Sequence, residues 1–167
     1  TFVISTDRKI LYWNRALEGL SGIRAEEVLG TDQQWRAFYS SPRSCMADLI
    51  ISNKIDHSDS LYAGKVTTSK VLKYAYEVTE FFPDIGEKGK WFRITATNIR
   101  DSSGKTFGAM ETLEDITDQK TAEEELLKRT KLESLGTFAD GVAKDFDSLL
   151  TAILRNVFLA KISASEE

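Results

Sequence analysis

One stretch limits what this chain can fold into more than any other: residues 117–162 contain no proline and repeat apolar residues along a single face. The series is Leu135, Phe138, Val142, Phe146, Leu149, Ile153 and Val157, with steps of three, four, four, three, four and four. That spacing predicts one long helix with a continuous apolar stripe. A helix of roughly 45 residues would extend roughly 68 Å at 1.5 Å per residue. A domain built from the remaining residues is too small to cover such a stripe. The expected cover is a second copy of the same helix, making a homodimer. Lys144 lies about 200° from Val142 and from Phe146, on the opposite face, among Asp140, Asp147 and Ser148. Taken alone, it is a solvated lysine with acidic neighbours.

The rest of the chain narrows the class further. Of 167 residues 41% are hydrophobic and 29% charged, the balance of a water-soluble domain with an extension. The net charge of −4 gives no electrostatic case for nucleic acid. No apolar run is long enough to span a membrane, and no signal peptide is visible. A single cysteine excludes an internal disulfide and suits the cytoplasm; one cysteine and one histidine argue against a zinc site. The chain opens on Thr1 without a methionine, so we expect a piece of a longer protein.

In order, Phe2–Ser5 and Lys9–Trp13 read as a hairpin. Short helices follow at Arg15–Leu20, capped by Asn14 and ended by Gly22, at Arg24–Leu29, and at Ser44–Ile51. Asn53–Ser60 reads as loop and much of Leu61–Tyr76 as helix. Period-two alternation then takes over in Val78–Phe82, Lys90–Ile99 and Thr106–Leu113. In the second of these, Phe92, Ile94 and Ala96 share one face, and Arg93 lies on the other. Strands segregated from helices define an α+β class with an antiparallel, five-stranded sheet. We divide the chain into a domain over 1–117, a helix over 118–162 and a tail over 163–167.

That order resembles a PAS sensor domain over about residues 1–118. The resemblance rests on Trp13-Asn14, Gly30, the Asp-Ser-Ser-Gly turn at 101–104 and Asp115-Ile116-Thr117. It implies short helices on one face of the sheet and a pocket between them for a cofactor or metabolite. The implied lining is Trp35, Phe38, Tyr39, Cys45, Met46, Leu49, Tyr62, Phe92, Ile94 and Ala96; the alternative is that these side chains simply fill a core. It also makes Asp115, Ile116 and Thr117 the junction that passes a signal to the helix. Arg43-Ser44-Cys45-Met46 does not match the flavin-adduct motif of the light-sensing branch, so Cys45 is expected to be a buried structural thiol. His57, in a polar stretch, is a poor haem ligand. Arg36 and Arg43 would bind a carboxylate if they face inward.

A second resemblance covers Leu132–Leu159. Gly141-Val142-Ala143-Lys144-Asp145-Phe146-Asp147-Ser148-Leu149-Leu150 is similar to the first helix of the histidine kinase dimerisation and phosphoacceptor domain. It aligns the family's phosphorylated histidine with Lys144 and its acidic neighbour with Asp145. A neutral imidazole accepts a phosphoryl group, whereas an ammonium has no lone pair to offer. The helix as written is therefore no histidine phosphoacceptor. The resemblance therefore implies either a degenerate kinase or an active one whose acceptor was replaced, and the remaining alternative is a plain small-molecule-binding module. The resemblance further implies an ATP-binding catalytic domain and a response regulator outside these residues. The fragment itself is not expected to catalyse a reaction.

Overall fold

The computed structural model describes residues 1–55, 62 and 64–163, with helix side chains through Val157. The chain forms two units, Thr1–Lys120 and Thr121–Glu167. In the first, β1 (Phe2–Ser5), β2 (Ile10–Trp13), β3 (Thr67–Thr68), β4 (Ala75–Phe82), β5 (Lys90–Arg100) and β6 (Thr106–Asp115) form one sheet. Its order is β2-β1-β6-β5-β4-β3, with every paired neighbour antiparallel. Between β2 and β3 come α1 (Arg15–Ser21), α2 (Ala25–Val28), a tight helical turn at Gln34–Ala37 and α3 (Met46–Ile51).

The expected five strands become six. Thr67 and Thr68 pair with Glu77 and Tyr76 as an edge strand, where helix was expected. Val66, Thr67 and Thr68 are β-branched, and the open edge of β4 offers unpaired backbone groups that they satisfy. Val71 and Tyr74 are 87% and 86% exposed, so the apolar residues here have no core to pack a helix against.

Local chemistry explains the remaining elements. Asn14 caps α1 by accepting from Leu17 N at 3.0 Å, and Gly22 closes it with φ 71°. Gly108 lies where β6 meets β1, and a Cβ there would stand 2.2 Å from the Ile4 carbonyl oxygen. The strict alternation of β5 turns Phe92, Ile94 and Ala96 inward, all buried. They pack against Phe2, Ile4, Val78, Phe82 and Ala109 of the sheet and Phe38, Met46, Leu49 and Tyr62 opposite. Each large apolar side chain so buried contributes roughly 1.5–3 kcal/mol. Arg93 faces outward and pairs with Glu114 at 2.7 Å.

In α4 (Thr117–Ser163), Leu135, Phe138, Phe146, Leu149, Ile153 and Val157 are each more than half exposed, and Val142 is half-buried. Leu150 and Leu154 widen the stripe. Among the described residues of that unit nothing covers it. No helix among the described residues is long and apolar enough to cross a membrane.

Candidate ligand site and signal junction

The ten residues expected to line a pocket all fall in one cluster between the sheet and the short helices. Phe38, Cys45, Met46, Leu49, Tyr62, Phe92, Ile94 and Ala96 are buried; Trp35 and Tyr39 pack against them, partly buried. Their rings form a chain. Phe38 lies 5.9 Å from Phe82, Tyr39 lies 5.8 Å from Phe82, and Phe82 lies 5.8 Å from Phe92, centroid to centroid. Such tilted and edge-to-face pairs favour one another beyond simple burial. The Cys45 thiol is 1% exposed, and burial pushes its pKa up, which leaves it a poor nucleophile. His57 lies outside the described residues. Arg36 donates to Gln33 Oε1 at 3.0 Å on the surface.

Within this apolar cluster sits a set of polar groups. Glu111 is 1% exposed on the inner face of β6, between Phe2 of β1 and Ala96 of β5. Its Oε2 accepts from Ala47 N at 2.8 Å, at the start of α3, and Met46 N also bonds to the carboxylate. Burial, aided by Asp48, raises its pKa to about 8 against those hydrogen bonds. Asp48, also buried, accepts from Cys45 N at 2.9 Å and from Gln34 Nε2 at 2.6 Å, and burial raises its pKa as well. Glu111 thereby ties α3 to the strand that leads into α4. Sequence reasoning missed it, although the alternation Ala109, Glu111, Leu113 would have turned it inward.

The junction is short and well bonded. Ile116 N donates to Trp91 O at 2.9 Å, and Trp91 N donates to Thr117 Oγ1 at 3.0 Å, so β5 grips the first residue of α4. Asp115 Oδ1 accepts from Thr117 N at 3.0 Å and Thr117 Oγ1 at 2.6 Å. Asp115 Oδ2 meets Lys90 Nζ at 2.6 Å. These hydrogen bonds, that from Lys90 foremost, hold the Asp115 carboxyl down at about 2. Ile116 is buried at 4% exposure and anchors the turn. Strand and helix are thus joined with no slack residue.

In α4, Lys144 and Asp145 are exposed, and Ser148 Oγ donates to the Lys144 carbonyl at 2.8 Å. That hydroxyl serves the helix backbone.

A family model described as PAS domain matches residues 1–118, and the chain belongs to the PAS domain family. Its fold is similar to that of an RNA-binding light-oxygen-voltage receptor, with a TM-score of 0.50 and 18% identity over 78% of this chain. The match covers 33% of that receptor, so this chain spans about a third of it. The PAS domain of Bordetella pertussis BvgS matches with a TM-score of 0.45 and 15% identity over 78% of this chain and 84% of that one. A Vibrio cholerae VqmA dimer matches at 0.42 and 21%, over 71% of this chain and 47% of that one. These likenesses concern the fold.

Proposed function

We propose that this chain is the sensory module of a sensor histidine kinase-like signalling protein. A small molecule or cofactor held among the core residues biases the sheet, and the bias passes through Asp115, Ile116 and Thr117 into a paired helix. The observation that carries the reading is the unbroken path from Glu111, which holds α3, along β6 to a helix start bonded to β5. A ligand shifts such a device only by binding its two states unequally. Homodimerisation through the stripe from Leu135 to Val157 supplies the second element, because small shifts at a packed interface resolve into discrete states. A cytoplasmic address, an ATP-binding catalytic domain and a response regulator complete the proposal, and ATP belongs to that further domain. The reading is tested by spectra and native mass of the purified chain with and without bound small molecule. A ligand that changes neither helix pairing nor amide exchange at 115–120 would refute the relay.

A second reading is favoured by the match at Gly141-Val142-Ala143 and Asp145-Phe146 around the missing imidazole. In it the parent is an active kinase whose acceptor has been replaced at Lys144. Lys144→His in the full-length parent, assayed with labelled ATP, separates the two. Recovered labelling supports replacement in an otherwise active enzyme, and none supports a degenerate kinase.

A further inference from the structure

Three hairpin turns share one end of the sheet, the end away from Thr117: residues 6–9 join β1 to β2, residues 69–74 join β3 to β4, and residues 101–105 join β5 to β6. The registers bring them together, because Ser5 pairs with Gly108, Arg100 with Thr106 and Ala75 with Thr97. Trp91, which holds Thr117, lies at the other end of β5. The shared end carries Arg8, Lys9, Lys70, Lys73, Arg100 and Lys105 against Asp7 and Asp101, a basic excess in a chain whose net charge is −4. Asp32 faces Lys9 at 3.6 Å, while Asp101 accepts from Ser103 N at 2.9 Å and Lys105 N at 3.0 Å within its own turn.

The turn at the β3 edge also carries apolar residues. Val71 and Tyr74 are 87% and 86% exposed, more than any other large apolar side chain among the described residues, and Leu72 is 51% exposed. Lys70 and Lys73 alternate with them, both exposed. The exposure does not come from a slack backbone. Ser69 Oγ accepts from Val71 N at 3.3 Å and Leu72 N at 3.2 Å and bonds to Glu77, and Ser69 N donates to Ala75 O at 2.8 Å. Thr97 Oγ1 donates to the Tyr74 carbonyl at 3.1 Å, and Tyr74 is held at φ 62°, a conformation uncommon outside glycine. A bonded turn that keeps three apolar side chains in water marks an interaction surface. Side chains so exposed line no groove, so they fit a yielding partner that closes around them. A lipid surface does this: apolar tips enter between headgroups, while lysine stems lie along them and reach phosphate. The basic excess selects an anionic surface.

We propose that this end of the sheet docks on an anionic phospholipid surface, with Val71, Leu72 and Tyr74 entering between the headgroups and Lys70 and Lys73 meeting their phosphates. The whole chain is sedimented with vesicles of phosphatidylcholine alone and of phosphatidylcholine with about 30% phosphatidylserine. Binding to the anionic vesicles is expected to be at least about tenfold tighter, and to weaken in about 1 M salt. Two paired variants, Val71→Ser with Tyr74→Asn and Lys70→Gln with Lys73→Gln, are each expected to weaken it at least about tenfold with far-UV circular dichroism unchanged. Asparagine is chosen at 74 because it tolerates the left-handed backbone there. A second measurement needs no variant: anionic vesicles should slow acetylation of Lys70 and Lys73, read by mass spectrometry, and leave Lys88 in the β4–β5 turn unchanged. Equal binding to both vesicles, or none to either, overturns the proposal. Binding that survives both paired variants belongs to the stripe of α4 and overturns it too, as does protection of Lys88 equal to that of Lys70 and Lys73.

Discussion

Replacing Glu111 with glutamine should alter the pH dependence of stability in a calculable way. The amide keeps an oxygen to accept from Ala47 N and removes the charge. In the parent, the carboxyl titrates at about 8 in the folded chain against 4.5 for the free group. Its folded pKa is raised, so the stability it contributes is fully present below pH 4.5 and is lost as pH rises through 8. Each pH unit inside that window removes about 1.4 kcal/mol, so the window of about 3.5 units corresponds to about 5 kcal/mol at most. That exceeds a third of the stability of most domains. Urea unfolding monitored by tryptophan fluorescence at half-unit steps from pH 5 to 8.5 measures the slope in both proteins. Glu111→Gln should fall less steeply than the parent by about 1 kcal/mol per pH unit, the difference cancelling most other titrating groups. Asp48 titrates upward in the same direction and remains in both. Parallel slopes would refute the claim that burial raises the Glu111 pKa in the folded chain.

Three further substitutions probe the frame around the site. Asp115→Asn removes the Lys90 pair; with both side chains more than a third exposed, solvent screening limits the loss to about 0.5–1 kcal/mol. Because its folded pKa is lowered from 3.8 to about 2, that stability is present above pH 3.8 and vanishes as pH falls through 2, which acid titration of the variant against the parent checks. Gly108→Ala drives a methyl onto the Ile4 carbonyl oxygen and should cost about 2 kcal/mol or more, read as a lower urea midpoint. Phe146→Glu places charge within the exposed stripe and should weaken self-association at least about tenfold, by analytical ultracentrifugation, while leaving far-UV circular dichroism of the domain unchanged.

Much of this was legible in the residues. The alternation of Phe92, Ile94 and Ala96 gave β5 its register, Asn14 and Gly22 bounded α1, and Asp115-Ile116-Thr117 marked the strand-to-helix passage. Periodicity failed where packing does not impose it. Thr67 and Thr68 form too short an edge strand to show a pattern, and the apolar residues at Val71, Leu72 and Tyr74 stay on the surface. The residues expected to line a pocket fell into one cluster because aromatic and apolar groups collect in any core, so composition located the core without naming its polar centre. Glu111, Asp48 and Gln34 were missed because burial of a polar side chain depends on partners distant in sequence: Ala47 and Glu111 are 64 residues apart. The stripe of α4 was readable as a surface in want of cover.

Sedimentation equilibrium of the 167-residue chain, alongside a version ending at Lys120, tests the central claim most directly. Two chains of 18.8 kDa associating at micromolar concentration, with association lost on truncation, is the expected result. A 167-residue chain that stays monomeric to hundreds of micromolar, with the residues from Leu135 to Val157 open to water, would contradict it.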